Sequence, residues 1–486
     1  MRIIFAASEL TPLAQTGGLG DALEALPFTL GARGHEVSVC LPCYRGLRED
    51  AALEVRSTGV HLQIPMRDRR IPAEILQATA ANGVQLFLIR HDDSFDRTEL
   101  YGNEGRAYDD NAERFIFFSK AVVELTRRIS PPPEIVHVHD WQSALIPVLI
   151  NDRRLPFRSV LTIHNLAYQG NFWAPDFGLL NLPGEYFTGR GVEFYGQVNL
   201  LKGGVLFSDR ITTVSERYAR EIQTPEFGAG LDAVVRENAH KLHGILNGVD
   251  YRLWDPANDP LLPQRYSATD LDGKSACREA LLAKLGLDPA PAGPVIAMVT
   301  RLAYQKGIDL LLPLIDRLLS HDVRLIILGE GDAGFERELG IASRRHLGRF
   351  AYHQGMDIAL SHLIYAGANV FLIPSHFEPC GLSAMYAVKY GAIPVARAVG
   401  GLSESLRDDD PATGTGNAVL FHDDTPEAFW DAIVRALQLF HDAPRWRELV
   451  LRAMACDFSW ERAAERYEQV YRLALSGPRT AGIYRR

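Results

Sequence analysis

Short apolar runs alternate along this chain with longer segments in which apolar residues recur at the three- and four-residue spacing of a helix. In the first half, the runs predict strands at 3–6, 37–41, 84–89, 135–139, 159–163 and 211–214. In the second half, they predict strands at 295–300, 323–328, 349–352, 370–374, 393–396 and 418–421. Regular alternation of strands and helices is typical of doubly wound parallel sheets, so the pattern predicts an α/β fold.

A break in this alternation separates the two series of strands. A Pro- and Asp-rich stretch begins at Trp254-Asp255-Pro256, and we place a hinge near Asp250. We therefore expect two Rossmann-like domains, residues 1–250 and residues 251–457. Behind Ser459, a residue type that favours helix N-caps, apolar side chains at helical spacing predict a C-terminal helix. We expect this segment, residues 458–486, to pack back on the first domain.

The composition argues against several classes of function. A net charge of −9 offers no basic surface for general nucleic-acid binding, and no apolar run approaches the roughly 18 residues of a membrane span. Five cysteines in 486 residues are odd in number and sparse, which is typical of a reducing compartment. Glu9 follows the first short apolar run without an extended hydrophobic region, so we expect no signal peptide. We expect a cytoplasmic protein whose partner is a neutral polymer or a small polar substrate.

Two motifs of the second half carry most of the chemical information, and each follows a predicted strand. Arg301-Leu302-Ala303-Tyr304-Gln305-Lys306-Gly307 supplies two cations. Glu378-Pro379-Cys380-Gly381-Leu382-Ser383 combines a carboxylate with a glycine turn that opens a helix. Parallel sheets bind ligands at the carboxyl ends of their strands, and free helix N–H groups bind anionic oxygens. Together the motifs predict a pocket for a sugar carried on a diphosphate.

Candidate ligand residues also follow strands of the first half. Gln15-Thr16-Gly17-Gly18-Leu19-Gly20-Asp21 is a glycine-rich turn that lets the backbone approach a ligand, although such a turn also serves simple chain reversal. Asp140 ends one predicted strand, and His164-Asn165 ends the next. His137 and His139 lie on one face of their strand, but no third ligand at a recognisable spacing accompanies them. We therefore expect no metal at this site.

Two further patterns are weak on their own. Gly329-Glu330-Gly331-Asp332-Ala333-Gly334 matches the dinucleotide-binding pattern, which keeps an NAD-dependent enzyme open as a rival. Its two acidic residues would repel a pyrophosphate, so we interpret it as a tight turn near the nucleotide. Cys40 and Cys43 have the spacing of a redox or zinc motif without a second pair nearby, and we interpret them as small residues at a strand end.

Taken in order, these segments resemble bacterial glycogen synthases and plant starch synthases along almost the entire chain. That family consists of retaining glucosyltransferases of the GT-B type, in which two Rossmann-like domains face each other across a cleft. The resemblance rests on segments 16–21, 137–141, 162–170, 247–250, 301–307 and 378–382.

The resemblance implies transfer of glucose from ADP-glucose to the non-reducing 4-hydroxyl of an α-1,4-glucan such as glycogen, with no metal and no cofactor. It implies catalytic roles for His164, Asp140, Arg301, Lys306 and Glu378. It implies substrate binding by Gln15, Gly17, Gly18, Tyr101, Asn165, Asn247, Tyr352, Cys380, Gly381, Leu382 and Ser383. Arg301 and Lys306 would stabilise the departing ADP, and Tyr352 would stack on adenine. Retention would proceed through an oxocarbenium-like ion pair, without a protein nucleophile.

One position departs from the family pattern, because Gln15 stands where the family has lysine. The loss of a charge-assisted hydrogen bond costs about 1.5–3 kcal/mol, so we expect a weakened enzyme or a changed donor preference. Two alternatives remain open. One is a degenerate synthase that binds glucan or nucleotide sugar and regulates an active paralogue. The other is a different GT-B transferase, such as a sucrose or trehalose-phosphate synthase.

Overall fold

The structure is a computed structural model that describes residues 1–51, 53–103, 105–289, 293–410 and 412–480. The chain divides into two compact units. Unit 1 contains Met1–Asn247 together with the chain from Trp460 onward, and unit 2 is Gly248–Ser459. Of the segment predicted to form the C-terminal helix, residues 481–486 lie outside the described residues.

Unit 1 is built on one large sheet in which the first strand of the chain lies in the middle. The strands follow each other across the sheet as Leu242–Gly244, Arg210–Thr213, Arg158–Ile163, Ile135–His139, Arg2–Ala6, Glu36–Pro42, Gln85–Arg90, Arg69–Thr79 and Arg56–Met66. Neighbouring strands are parallel, except that Arg69–Thr79 runs antiparallel to the strand on either side of it. The strands predicted in this half are confirmed.

The hairpin at one edge of this sheet was missed by the sequence analysis. Arg56–Met66 and Arg69–Thr79 are long strands, but their burial alternates irregularly and each contains a proline. Charged residues and proline protect an exposed sheet edge from pairing with another chain, and they also remove the continuous apolar signal of a buried strand. A small antiparallel sheet of Asn171–Phe172, Gln197–Asn199 and Glu193–Phe194 was missed as well, because its strands are so short.

Helices cover the large sheet of unit 1. The α-helices are Gly18–Ala32, Asp92–Phe95, Asn111–Thr126, Asp140–Ser143, Leu145–Asp152, Phe177–Leu180, Leu200–Phe207, Glu216–Glu221, Asp232–Glu237 and Trp460–Ser476. Short 3-10 helices occur at Ala174–Asp176, Gly184–Tyr186 and Ala239–Lys241, and Gly102–Asn103 pairs with Arg106–Ala107 in a small ribbon.

The C-terminal helix Trp460–Ser476 lies against unit 1. It packs on helix Gly18–Ala32 and on the sheet strands Arg158–Ile163 and Arg210–Thr213. Its buried Tyr471 hydroxyl lies 2.9 Å from Nδ1 of His137, in the middle of the sheet. Arg33 and His35 both contact the Glu468 carboxylate, which fixes the polar side of the helix.

Unit 2 contains a six-stranded sheet that is parallel throughout. The order across the sheet is Phe350–Gln354, Arg324–Gly329, Val295–Val299, Val370–Ile373, Ile393–Arg397 and Val419–Phe421. Numbered along the chain, this is the order 3-2-1-4-5-6 of a Rossmann sheet. The central strands are buried almost throughout, as expected for a parallel sheet covered on both faces. The six predicted strands are confirmed, and so is the α/β fold class with two doubly wound sheets, of which the unit 1 sheet departs from parallel pairing only at Arg69–Thr79.

The helices of unit 2 complete its layers. The α-helices are Asp272–Lys284, Ile308–Leu311, Ile315–Leu319, Ala333–Arg345, Ile358–Gly367, Leu382–Lys389, Leu402–Ser405, Pro426–His441 and Ala443–Met454. Short 3-10 helices occur at Tyr304–Lys306 and Leu312–Leu314. None of the helices in the described parts of either unit combines the length and the apolar character that a membrane span requires.

Candidate active site

The two motifs of the second half meet at the point where the strand order of unit 2 reverses. Val295–Val299 lies beside Val370–Ile373, although two strands separate them along the chain. The loop after the first of these strands carries Arg301 and Lys306, and the loop after the second carries Glu378. A reversal of this kind leaves a crevice at the carboxyl ends of the two strands, which is where open α/β sheets bind ligands.

Direct contacts join these two loops. Lys306 Nζ donates to Glu378 Oε2 at 2.6 Å, and Ser375 Oγ donates to the same oxygen at 3.1 Å. The backbone N–H of His376 donates to the carbonyl of Gln305 at 2.9 Å. The loops therefore form one connected surface in which a cation and a carboxylate have fixed relative positions.

Gly307 makes this close approach possible. Its φ is +69°, a left-handed conformation, and a Cβ there would lie 2.0 Å from the carbonyl oxygen of Pro374. Only glycine combines this backbone angle with the absence of a side chain. Glycine is therefore required at position 307, because the first motif packs closely against Pro374, at the end of the strand that leads into the second motif.

The second motif presents the start of a helix. Gly381 has φ +87° and turns the chain into helix Leu382–Lys389. The backbone N–H groups of Leu382 and Ser383 have no acceptor within the described residues, whereas Ala384 N–H donates to Gly381. The Cys380 side chain is buried, so it lines the turn without being presented to solvent. The arrangement offers two free N–H donors beside Glu378, as an anionic or hydroxyl oxygen requires.

Arg301 has a different environment from Lys306. Its side chain is exposed and makes no hydrogen bond or ion pair with any residue in the described ranges. A guanidinium that is not engaged within the protein is free to pair with phosphate oxygens in two parallel hydrogen bonds.

The glycine-rich turn at residues 329–334 supports the Arg301 loop. Leu302 N–H donates to the Glu330 carbonyl, and Asp332 N–H donates to the Leu302 carbonyl, each at 2.7 Å. A Cβ at Gly331 would lie 2.3 Å from the oxygen of Leu302, which explains the glycine. The Asp332 carboxylate caps helix Ala333–Arg345 by accepting from two of its N–H groups. Gly331 N–H also donates to Glu336 Oε1 at 2.9 Å, so the N–H groups of Gly331, Asp332 and Gly334 are engaged within the protein, which supports the interpretation as a tight turn.

Tyr352 lies at the same edge of the sheet. Its hydroxyl donates to the carbonyl of Gly329 at 3.2 Å, and burial raises its pKa to about 12. The ring therefore stands beside the glycine-rich turn, where the nucleotide base was predicted.

In unit 1 the strand order also reverses beside the first strand, Arg2–Ala6, which pairs with Ile135–His139 on one side. The loop after the first of these strands is held by Glu9, a residue that the sequence analysis did not select. The Glu9 carboxylate accepts from Thr16 N–H at 2.8 Å, from Thr16 Oγ1 at 2.8 Å and from Gly17 N–H at 3.2 Å. Tyr101 also donates to Glu9, at 2.8 Å, so its hydroxyl holds the loop through that carboxylate.

Gln15 makes its contact inside this loop. Its side-chain amide donates to Asp21 Oδ1 at 2.9 Å, and Thr11 Oγ1 donates to the same oxygen at 3.2 Å. Burial raises the pKa of Asp21 to about 6, against the lowering effect of these two hydrogen bonds. Gly17 and Gly18 follow as the cap and first residue of helix Gly18–Ala32.

Asp140 and His164 are brought together by neighbouring strands. Asp140 Oδ1 accepts the backbone N–H of His164 at 2.7 Å, and Asp140 itself has φ +53°. That left-handed angle is strained for a residue other than glycine, and such strain is concentrated at functional sites. Burial raises the pKa of Asp140 to about 7, against the lowering effect of the backbone N–H groups of His164 and Asn165.

The imidazole of His164 contacts a second imidazole. Its Nε2 lies 2.9 Å from Nδ1 of His139, and burial lowers the pKa of His164 to about 3. Burial also holds the pKa of His139 well below its usual range. Both rings are neutral, so one nitrogen of the contact donates and the other accepts. The His137 ring lies beside that of His139, with ring centroids 4.2 Å apart, and its Nε2 is 2.6 Å from Thr162 Oγ1.

The remaining predicted residues of unit 1 have distinct environments. Asn165 uses its side-chain oxygen to accept Ala167 N–H at 3.0 Å, which forms a local turn beside His164. Asn247 is buried, and its Oδ1 has no hydrogen-bond partner within the described residues. Since buried polar atoms are nearly always satisfied, a lone oxygen of this kind is a candidate ligand contact.

No group of three or more His, Cys, Asp and Glu side chains in the described ranges is arranged to hold a metal ion. Cys40 and Cys43 are free, buried thiols, and burial raises the pKa of Cys43 to about 11. A thiol that stays protonated at neutral pH is a poor nucleophile.

Two family models match the chain. The model for the starch synthase catalytic domain matches residues 2–237, and the model for glycosyl transferases group 1 matches residues 287–448. Among curated proteins, the glycogen synthase of Opitutus terrae is 45% identical over 98% of this chain and 100% of its own length. The glycogen synthase of Anaeromyxobacter dehalogenans is 46% identical over the same shares of the two chains.

A starch synthase is also among the solved structures that resemble this chain. The catalytic domain of starch synthase IV from Arabidopsis thaliana, bound to ADP and acarbose, matches with a TM-score of 0.92 at 34% identity, over 98% of this chain and 99% of its own. The sucrose-phosphate synthase of Thermosynechococcus elongatus matches with a TM-score of 0.63 at 18% identity, over 97% and 98%. At that identity the second likeness concerns the fold alone.

Proposed function

Because this chain belongs to the starch and glycogen synthase family of glycosyltransferases, we propose that it transfers glucose from ADP-glucose to the non-reducing 4-hydroxyl of an α-1,4-glucan, with retention of configuration. The observation that carries the proposal is the arrangement of Lys306, Glu378 and the start of helix Leu382–Lys389 at the reversal point of unit 2. A cation, a carboxylate and free N–H donors are the groups that a sugar on a diphosphate needs.

In this proposal Arg301 and Lys306 neutralise the charge that develops on the diphosphate as the glycosidic bond breaks. Fixed cations that face developing charge supply a large part of the rate enhancement in enzymes of this kind. The N–H groups of Leu382 and Ser383 bind phosphate or sugar oxygens, and Glu378 accepts from glucose hydroxyls. Tyr352 stacks on the adenine, and no metal or cofactor takes part.

The unit 1 residues act on the sugar in this proposal. The 2.7 Å contact with Asp140 orients the backbone of His164, and Asp140 itself turns the chain with a left-handed φ of +53°. His164 remains a neutral imidazole and serves as a hydrogen-bonding group rather than a cation. Tyr101, Asn165 and Asn247 complete the proposed contacts to substrate.

Retention without a protein nucleophile is consistent with the surroundings of Glu378. Its carboxylate contacts Lys306 and Ser375. A glycosidase-like mechanism needs two carboxyl groups that flank one bond. We therefore propose an oxocarbenium-like ion pair in which the departing phosphate takes the proton of the acceptor hydroxyl.

The test is glucose incorporation into glycogen by the purified chain, with ADP-glucose and UDP-glucose in parallel. We expect transfer from ADP-glucose and an α-linked product. Transfer from UDP-glucose alone would contradict the donor assignment. No transfer from either donor, even in a Gln15→Lys variant, would contradict the synthase proposal and favour a regulatory protein that binds glucan or nucleotide sugar.

A further inference from the structure

His376 is a buried residue in the loop that carries Glu378, and it has no role in the proposed chemistry. It follows strand Val370–Ile373 and precedes Glu378 by two positions. Its backbone N–H donates to Gln305, and its backbone carbonyl accepts from Arg397 at 2.6 Å. The side chain therefore projects from a segment that is already fixed to both the Arg301 loop and the sheet.

Both ring nitrogens of His376 contact carboxylates. Nδ1 lies 2.8 Å from each oxygen of Asp424, and Nε2 lies 2.9 Å from Oδ1 of Asp309. An ionised carboxylate can only accept hydrogen bonds, so both nitrogens must donate. Only the imidazolium form has two N–H groups, and the geometry is therefore that of a charged ring between two anions.

The groups around the ring connect it to the ligand loops. Tyr304, from the Arg301 loop, stacks on the imidazole with ring centroids 4.2 Å apart and an angle of 16° between planes. Asp309 lies three residues after Lys306, at the start of the next helix. From the other side, Arg397 forms an ion pair with Asp424 at 3.3 Å.

We propose that His376, as an imidazolium held between Asp309 and Asp424, is a positioning residue that fixes the distance between Lys306 and Glu378 and thereby sets the affinity for the nucleotide sugar. The proposal rests on the proposed function of those two residues. His376 acts through the loops and does not touch the substrate. A side chain that cannot donate to both carboxylates releases one of the two contacts and lets the loops move apart.

Two substitutions separate charge from packing. His376→Gln keeps a polar side chain but supplies one neutral amide, which cannot donate in two opposite directions. His376→Arg keeps a fixed cation whose fork of N–H groups can serve two carboxylates at any accessible pH. His362→Gln is the matched control, because His362 is also buried, lies 2.7 Å from Asp259, and stacks on Trp254 in the same unit.

The measurements are kcat and KM for ADP-glucose at neutral pH. In His376→Gln, KM should be about ten- to a hundred-fold higher, with a smaller change in kcat, since small misplacements of reacting groups have effects of that size. His376→Arg should restore a low KM, and His362→Gln should leave KM unchanged.

A second readout does not depend on activity. Nitrogen NMR of histidine-labelled protein, with the His376 resonance assigned by its loss in His376→Gln, reports the protonation of both ring nitrogens. A neutral ring at neutral pH would overturn the proposal, and so would an unchanged KM in His376→Gln or an arginine variant that behaves like glutamine. If the wild type transfers no glucose, the proposed function fails, and the dissociation constant for ADP then takes the place of KM in the same comparison. A wild type that binds no ADP would overturn both proposals.

Discussion

The side-chain amide of Gln15 donates a hydrogen bond to the carboxylate of Asp21 at 2.9 Å, at the end of the loop that joins the first strand to helix Gly18–Ala32. Asp21 also accepts from Thr11, and it has no cationic side chain among its hydrogen-bond partners in the described part of unit 1. The departure from the family lysine therefore changes two things together. It removes a cation from the loop, and it leaves a carboxylate whose pKa is raised to about 6.

We expect Gln15→Lys to raise the rate of transfer from ADP-glucose about ten- to a hundred-fold. The lysine ammonium has three donors, so one can pair with Asp21 while others remain for a ligand oxygen. A charge-assisted hydrogen bond is worth about 1.5–3 kcal/mol, which corresponds to that change in rate. The measurement is initial-rate kinetics with both donors. The control is Gln15→Met, which keeps the length but has no donor, and equal rates in the two variants would contradict the explanation.

Lys306→Ala should lower kcat by about a hundred- to a thousand-fold, as is typical for the removal of one group that stabilises charge in the transition state. Its partner Glu378 would also lose the 2.6 Å contact, so part of the effect would come from a displaced carboxylate. Lys306→Arg keeps the charge and should recover part of the rate. Lys284→Ala, at the exposed end of a helix in the same unit, is the matched control. A Lys306→Ala enzyme with an almost unchanged kcat would remove this residue from the mechanism.

Asp140 should make the folded state less stable as pH rises from about 4 to about 7. Its folded pKa is about 7 and the ordinary value is 3.8, so the folded state binds more protons than the unfolded state in this range. The stability that protonated Asp140 contributes is fully present below the ordinary pKa and is lost as pH rises through the folded pKa. The loss amounts to roughly 1.4 kcal/mol for each unit by which the two pKa values differ. His164, whose folded pKa is lowered to about 3, acts in the opposite direction below its ordinary value of 6.5.

The variant Asp140→Asn separates these two contributions. Asparagine tolerates a left-handed backbone and still presents an oxygen to the His164 N–H, but it does not titrate. Urea unfolding at several pH values should show the wild type losing stability relative to Asp140→Asn as pH rises. A constant difference between the two proteins would mean that Asp140 titrates near its ordinary value.

Gly307→Ala should destabilise unit 2 by more than the backbone angle alone explains. A left-handed angle costs an ordinary residue about 1–2 kcal/mol, and a clash with the Pro374 carbonyl adds about 1–3 kcal/mol. Gly34→Ala is the matched control, because Gly34 has φ +89° and open space around its missing Cβ. In chemical denaturation, the free energy of unfolding of Gly307→Ala should be well below that of Gly34→Ala. ADP binding should weaken only in Gly307→Ala. Equal losses in the two variants would show that the contact with Pro374 relaxes freely.

Much of the fold and part of the site were predictable from local sequence patterns. Buried parallel strands are continuous apolar runs, and this is why the strands around Val295–Val299 and Val370–Ile373 were located from the sequence. The edge hairpin formed by Arg56–Met66 and Arg69–Thr79 was missed because its prolines and charges protect an exposed edge and remove that signal. The motif residues Lys306 and Glu378 were found because their types and their position after a strand are both local properties.

Local patterns along the chain are therefore enough to predict the α/β class, the positions of the buried strands and the loops that carry ligand residues. They do not predict which loops become neighbours, because strand order depends on contacts between segments far apart in the chain. Glu9 illustrates the difference, since its role comes from accepting three hydrogen bonds from Thr16 and Gly17. His376 is a second example, because its carboxylate partners Asp309 and Asp424 lie 67 and 48 residues away along the chain. A buried polar group is stable only where its partners meet it in space, and no periodicity of the sequence encodes that meeting.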